Sequence, residues 1–376
     1  MNTVTISRRR FAHLLGAGAA TALAGPAFTF ARTPQAAPVR NGIIRLSSNE
    51  NPYGPSPKAL SAMKEAFALS CRYPDEHADA LLATLAKENG VEAEQILLGN
   101  GSGEILKLCA AAFTGPGNSK IGRGPLVVAD PTFEAIVKHA SVNGAEIVKL
   151  PLTDTFAHDL AKMAAAATGG LVYICNPNNP TASITPKEEL RQFISDLPRE
   201  TMILVDEAYF HYADSPEYES VIPLIDDHPN LIVARTFSKI YGMAGLRCGF
   251  AIAQPEAIEG MQAEQPWDSV NIMALVAARA SLEDAKQVTD GRRLNRDAKT
   301  FVLRELERLG YESIPSQANF IMVDMKRLVA PLLQDMKQRK VQVGRLFPAL
   351  PNHMRVTIGT QREMEAFLSA FREVLA

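Results

Sequence analysis

A chain of 376 residues, 47% of them hydrophobic and 21% charged, has room for a large core and the makeup of a soluble globular protein with two domains. Its formal charge of −2 gives no basic excess, which argues against a nucleic-acid-binding protein. Cys71, Cys109, Cys175 and Cys248 show neither CxxC nor metal-ligand spacing, and the seven histidines form no HExxH-type pair. Three of the four lie in apolar or motif surroundings, so small buried thiols are expected there rather than disulfides, and no metal site.

The first segment, residues 1–38, reads as an address rather than as fold. It contains no acidic residue; the first is Glu50. SRRRF (Ser7 to Phe11) precedes LLGAGAATALAGPAFTFA, the positive and then apolar order of a secretory signal, with Ala31 as one candidate cleavage site. The paired arginines resemble the twin-arginine (Tat) signal, which carries folded proteins across the bacterial inner membrane. That implies the Tat export machinery as a partner and a periplasmic location, or a cytoplasmic one if the signal does not function. The Ala and Gly content is too weakly apolar for a stable membrane span.

Pro and Gly in RLSSNENPYGPSP (Arg45 to Pro57) predict an arm without regular structure, followed by an amphipathic helix from Lys58 to Leu69. RYPD at Arg72 to Asp75 breaks the pattern, and a second helix is predicted from Ala78 to Asn89, ended by Gly90. In QILLGNGSGEILKLCAAAF (Gln95 to Phe113) a short apolar run meets a Gly/Ser turn, with a helix from Glu104. Free backbone N–H groups at such a helix start suit a phosphate, although Ser102 also suits a plain N-cap. Apolar runs ending near Ala129, Leu150, Cys175 and Val205 predict buried strands, with helical stretches such as Pro186 to Phe193 between them. Polar residues gather just beyond these runs: Asp130 to Phe133, Asn176 to Thr181, and Asp206 to Tyr209. In open α/β sheets ligands bind beyond the carboxyl ends of the strands.

The next stretch, LIVARTFSKIYGMAGLRCGF (Leu231 to Phe250), places Lys239 just past a buried strand, with Thr236 and Ser238 beside it and Arg247 further on. This suits pyridoxal phosphate: the lysine amine would form the Schiff base, and the hydroxyls and arginine would hold the phosphate. A loop lysine with a solvating arginine fits the same residues. From Ile272 to Gly310 the pattern is helical and charged. Strands at Ala318 to Val323, Val341 to Val343 and Arg355 to Ile358, with helices at Pro331 to Arg339 and Gln361 to Leu375, predict a smaller α+β unit against which the arm packs.

RLSSNENPYGPSP, RYPD, LGNGSGE, DPTF, CNPNNPT, VDEAYF, TFSKIYGMAGLRCGF, ANFIMV and MRVTIGT, in this order, resemble the fold-type-I pyridoxal-phosphate aminotransferases, and within them the histidinol-phosphate aminotransferase family. The resemblance runs from about Ile43 to the C-terminus. It implies an α/β fold with a large domain (71–270) built on a mostly parallel sheet flanked by helices. A smaller α+β domain (271–376) and an N-terminal arm (39–70) complete it. It also implies transfer of an amino group from an amino acid or amino-phosphate to a 2-oxo acid.

The same resemblance assigns roles. Lys239 would be the Schiff-base lysine and proton carrier, and Asp206 the carboxylate facing the pyridine nitrogen. Tyr209 and Asn179 would bond the ring oxygen, and Phe133 would stack on the ring. Ser102, Gly103, Thr236, Ser238 and Arg247 would hold the phosphate, with Tyr73 reaching in from a second subunit of a homodimer. Arg355 and Arg345 would take the substrate's anionic end, with Asn51 and Tyr53 closing over it; Glu207 would be structural. Three departures stand out: Ala182 where the family has Gly, Gly103 where an acid is common, and Tyr241 where Phe is usual. The family resemblance also admits a decarboxylase similar to threonine-phosphate decarboxylase. The export signal admits an exported aminotransferase for aromatic or other amino acids, or a non-catalytic exported binding protein on an old fold.

Overall fold

The computed structural model describes residues 42–116 and 123–375. Residues 1–38, with Arg8 and Arg9, lie outside the described residues. The described residues form one compact unit.

The arm opens with β1 (Ile44–Leu46). Helix α1 (Pro57–Ala66) begins where the Ser56 hydroxyl accepts from Ala59 N–H and Pro57 occupies the first turn. It stops short of the predicted Leu69 because the last residues tighten into a 3₁₀ turn, whose Phe67 carbonyl accepts the Ser70 hydroxyl at 2.7 Å. Helix α2 (Asp75–Asn89) ends on Gly90 at φ 68, the left-handed cap its sequence predicts. Then follow β2 (Ile96–Gly99), α3 (Ser102–Phe113), β3 (Leu126–Asp130), α4 (Ala135–Val142), β4 (Ile147–Pro151), α5 (Leu160–Ala166), β5 (Gly170–Cys175), α6 (Lys187–Asp196), β6 (Thr201–Asp206), β7 (Leu231–Thr236) and β8 (Gly249–Ala253). Helices α7 (Pro255–Gln262), α8 (Ile272–Leu282) and α9 (Ala285–Arg308) lead to β9 (Glu312–Ile314), β10 (Phe320–Asp324), α10 (Ala330–Gln338), β11 (Val341–Val343), β12 (His353–Thr357) and α11 (Gln361–Leu375).

Seven strands form the main sheet in the order β2-β8-β7-β6-β5-β3-β4, all parallel except β8. Parallel strands covered on both faces read as continuous apolar runs, and β5, β7 and β8 are buried at every position. Alternate residues feed two cores: Val172, Ile174, Val205 and Val233 on one face, Leu171, Tyr173, Leu204 and Ile232 on the other. Strand β8 runs backwards because the connection from β7 holds no helix; a parallel return needs a long crossover. The connection therefore turns back at the same end of the sheet, and this is the loop that carries Lys239 and Arg247. The strand order reverses between β3 and β5, which opens a crevice beyond their carboxyl ends.

A third core belongs to the C-terminal layer, where α9, α10 and α11 pack on the antiparallel sheet β12-β10-β9. The arm joins this layer: β1 pairs in parallel with β11, and Leu46 is buried in its core. The arm then crosses the lysine loop. Asn51 Nδ2 donates to the Ile240 carbonyl at 2.8 Å. Gly242, at φ 67, lies so close that a Cβ there would stand 2.2 Å from the Gly54 carbonyl oxygen. No helix among the described residues is long and apolar enough to cross a membrane.

Candidate active site

Lys239 lies three residues past β7, partly buried under the arm. Its Nζ donates to the Asn49 carbonyl at 3.3 Å and stands 5.3 Å from the centre of the Tyr209 ring. Loss of water, and then the Arg355 guanidinium, disfavour its charge; the nearby Asp206 carboxylate opposes them, and the amine is pushed down to about 8. An amine tuned this way is a nucleophile and proton carrier near neutral pH.

Asp206 closes β6, directly across from Cys175 of β5. Its Oδ2 accepts the Tyr173 hydroxyl at 2.9 Å and its Oδ1 the Ala208 N–H at 3.1 Å. Burial raises its carboxyl to about 6, against the pull of these two donors and of Lys239. The next residue, Glu207, is engaged elsewhere. It takes Arg235 Nε at 3.0 Å and Nη2 at 2.7 Å, together with the Ser220 hydroxyl and Val221 N–H. The Arg235 guanidinium also lies 3.7 Å over Phe210. This buried ion pair, with two guanidinium N–H groups on one carboxylate oxygen, braces the turn that carries Asp206 and Tyr209.

The Tyr209 hydroxyl accepts from Asn49 Nδ2 at 3.0 Å and from Asn179 Nδ2 at 3.3 Å. Asn179 Oδ1 in turn accepts Arg355 Nη1 at 2.7 Å, and Ser47 O accepts Arg355 Nη2 at 2.6 Å. Lys239, Asn49, Tyr209, Asn179 and Arg355 thus form one continuous polar path. Arg355 Nε is buried with no hydrogen-bond partner among the described residues. Together with Arg345, Phe347, Phe133, Lys138 and Glu134, Arg355 lines a cavity of about 350 Å³. Phe347 carries both guanidinium groups, Arg345 at 4.3 Å and Arg355 at 5.1 Å from its ring centre. Arg345 is half exposed and paired with Glu134 at 2.7 Å, a contact that a ligand can displace at little cost, about 0–1 kcal/mol. Phe133 lies 39% exposed on the same wall, its ring open to a planar partner.

Beside the lysine loop, the ends of β2 and β7 meet the start of β8. Gly249 pairs with Gly99 on one side and Thr236 on the other. A Cβ on Gly249 would stand 2.4 Å from Ser102 N, and one on Gly101 2.3 Å from Arg247 Nη2. Absence of these two side chains brings the N-terminus of α3, with Gly103 in its first turn, against Arg247. The Thr236 hydroxyl donates to Ser238 Oγ at 2.9 Å, and Arg247 Nη1 reaches the same oxygen at 3.4 Å. Backbone N–H groups, hydroxyls and a guanidinium around glycines form a cup for a phosphate.

The structure brings Lys239, Asp206, Tyr209, Asn179, Arg355, Phe133 and Arg345 to one cleft and Ser102, Gly103, Thr236, Ser238 and Arg247 to the adjoining cup. Three sequence candidates lie elsewhere. Asn51 spends its amide on the Ile240 carbonyl and its Oδ1 on Tyr53 N–H. Tyr53 faces a small pocket with Asn295 and Gly359 rather than the arginine cavity. Tyr73 is 81% exposed. Sequence reasoning missed Asn49, which is buried at φ 54 and also bonded through Thr357 and Asn319. Its signal was present in SSNENP, where a short polar residue tolerates the left-handed region. Ala182, where the family has Gly, keeps that conformation at φ 60; the loop holds its shape at a cost of about 1–2 kcal/mol.

A lysine beyond a buried strand, a buried carboxylate facing it and a phosphate cup at the strand ends fit pyridoxal phosphate, and they define a pyridoxal-phosphate enzyme of the fold-type-I class. Residues 41–371 match the model of the aminotransferase class I and II family, and the chain belongs to that family. It is 41% identical to a histidinol-phosphate aminotransferase of Moorella thermoacetica, over 89% of this chain and 86% of that one. It is 39% identical to histidinol-phosphate aminotransferase 2 of Pseudomonas fluorescens strain Pf-5, over 89% of each. The solved histidinol-phosphate aminotransferase of Sinorhizobium meliloti in complex with pyridoxal-5'-phosphate superposes with a TM-score of 0.82 at 27% identity, covering 89% of this chain and 90% of that one. The protein is a pyridoxal-phosphate-dependent aminotransferase.

The tuning of Lys239 has a direct readout. With its amine near 8, covalent capture of pyridoxal phosphate by the apoenzyme should accelerate as pH rises through that value, by roughly tenfold from pH 7 to 9, as the neutral amine replaces the ammonium. Stopped-flow absorbance follows it. A rate flat over this range, or one that rises only near pH 10, would contradict the assigned environment.

Proposed function

We propose that this aminotransferase takes its amino group from histidinol phosphate and passes it to a 2-oxo acid such as 2-oxoglutarate. The observation that carries this reading is the arginine cavity: three cations, Arg355, Arg345 and Lys138, face a single acid, Glu134, a balance that suits a phosphate dianion. The relatives' names point the same way. Arg355 holds the anionic end against Phe347 and fixes the substrate with its amine toward Lys239. Lys239 Nζ then carries a proton from the substrate's Cα, with the Asn49 carbonyl and Tyr209 as its near neighbours. Asp206 would hold a negative charge toward the ring nitrogen of a bound pyridoxal phosphate. Pyridoxal phosphate, when bound, supplies the electron sink that makes this proton removable.

The arginine-bearing segment SRRRF favours a second reading, in which the enzyme is exported by the Tat route and the cavity takes the α-carboxylate of an amino acid available in the periplasm. A folded-protein route would carry cytoplasmic pyridoxal phosphate along. In either case the working form is a homodimer with shared sites. Tyr73, Phe67 and Trp267 are 81%, 66% and 95% exposed, a set of aromatic side chains that a second copy would cover, with Tyr73 reaching its partner's phosphate cup.

Histidinol phosphate should give a higher kcat/KM than any amino acid in a donor panel, with the amino group recovered on 2-oxoglutarate. Release of carbon dioxide instead would identify a decarboxylase, and preference for a free amino acid would support the exported enzyme. Arg355→Lys should lower kcat/KM by ten- to a hundredfold, about 1.5–3 kcal/mol for one charge-assisted bond, because an ammonium cannot reproduce the guanidinium fork. An unchanged value on every donor would remove Arg355 from the anion site. Mixing an inactive Tyr73 variant with inactive Lys239→Ala should restore part of the activity through one intact hybrid site, whereas an active monomer in sedimentation would rule out shared sites. Replacing Arg8 and Arg9 together by lysine should trap the precursor inside the cell; periplasmic activity that survives the change would reject Tat export.

A further inference from the structure

Asp206 sits among groups that differ in what they can do for it. Lys239 approaches from the lysine loop. Glu207, next in sequence, is tied to Arg235. The buried thiols of Cys175 and Cys109 lie on the same side of the sheet as Tyr173. Of these neighbours only Tyr173 and the Ala208 N–H donate a hydrogen bond to the carboxylate.

Tyr173 is fully buried within β5, in a core otherwise made of Leu, Val, Ile, Ala, Cys, Phe113 and Met261. A phenylalanine would fill that space equally well, and a buried phenol needs a hydrogen-bond partner to be tolerated. That partner is Asp206 Oδ2 at 2.9 Å. Parallel pairing sets the geometry: Cys175 stands opposite Asp206 and Tyr173 opposite Leu204, so the phenol reaches along the same face of the sheet to the carboxylate. With Ala208 N–H on Oδ1, both carboxylate oxygens have a donor, and the plane of the group is fixed.

We propose that Tyr173 is a positioning residue for the transamination reaction, holding the Asp206 carboxylate in the plane and charge state in which it faces the cofactor's ring nitrogen. This rests on the role of Asp206 in the reading above. The hydroxyl acts on charge as well as on direction. It favours the carboxylate over the acid and offsets part of the burial that raises Asp206. Burial and the neighbouring carboxylate hold the phenol itself well above its ordinary range, so it remains a donor at every working pH.

Tyr173→Phe, Asp206→Asn and the double variant test this in holoenzyme and apoenzyme. Tyr173→Phe keeps the packing volume and should lower kcat about tenfold with little change in KM, the loss of one hydrogen bond to a charged group. The acid limb of its kcat–pH profile should move up by about one unit, since the carboxylate is harder to ionise. The apoenzyme gives a readout without activity. A carboxyl raised by burial lowers stability as pH rises through its folded value, so the drop in Tm from pH 5 to pH 8 should be larger in Tyr173→Phe than in wild type. In the Asp206→Asn background, adding Tyr173→Phe should change neither that drop nor kcat, because the phenol acts only through the carboxylate. If Asp206→Asn is inactive while Tyr173→Phe keeps kcat, acid limb and Tm difference, the positioning role is wrong and the role of Asp206 stands. If Asp206→Asn retains full activity, the reading on which the proposal rests has failed instead.

Discussion

Three charges must be kept largely out of water within one cleft: the Asp206 carboxylate, the Lys239 amine and the Arg355 guanidinium. Isolated burial of any of them would cost several kcal/mol. The fold gives each one short neutral partners instead of a matching ion. Asp206 has a phenol and a backbone N–H; Lys239 has the Asn49 carbonyl; Arg355 has the Asn179 amide oxygen and the Ser47 carbonyl. Neutral partners leave the charges available to a ligand, whereas a salt bridge would consume them. Among the described residues the one buried ion pair nearby, Arg235 with Glu207, is fully occupied and serves as scaffolding.

The arm is the element that makes this possible. Ser47 and Asn49 contribute two of those partners, and their position follows from β1 lying on β11. Asn49 adopts the left-handed region with its side chain on the Tyr209 hydroxyl, its N–H on Thr357 and its carbonyl shared by Lys239 and Asn319. Arg247 and Ala182 are also non-glycine residues with positive φ, at 63 and 60, and both border the site. Conformations of this kind persist only where the surroundings over-determine them, and they collect where geometry serves chemistry. Ala182 shows the degree of constraint. Its carbonyl accepts Gln317 N–H and its own N–H donates to Asn178, so the loop stays in place without the glycine usual at that position.

Much of this was legible in the sequence. Buried parallel strands announce themselves as apolar runs, and the polar clusters beyond them mark Asp206, Asn179, Lys239 and the cup residues. Strand ends were readable to within a residue or two. The helix expected from Glu104 begins two residues earlier because Gly101, at φ 78, forms the break. The charged stretch after Ile272 divides into α8 and α9 where Glu283 and Asp284 turn out of the helix. What periodicity could not show was tertiary reach. Tyr173 reads as one more apolar strand residue, and only the register of β5 on β6 turns it toward Asp206. Asn51 and Asn49 look equivalent in SSNENP; backbone direction alone sends one to the lysine loop and the other into the cleft. Phe347 is an ordinary core aromatic until two guanidinium groups are seen to rest on it.

The pairing of β1 with β11 also orders events during synthesis. Asn49 finds Thr357 across 308 positions of sequence, and Ile44 finds Val341. The central sheet is complete by Ala253, so a growing chain can assemble the strands that present Asp206 and Lys239 well before its last third is made. The arm, although translated before the sheet, has nothing to pair with until β11 and β12 have left the ribosome. Contacts of such long range form late. The lysine pocket is therefore roofed at the last moment by a segment made before the sheet, and a nascent chain lacking its final strands presents the cleft uncovered.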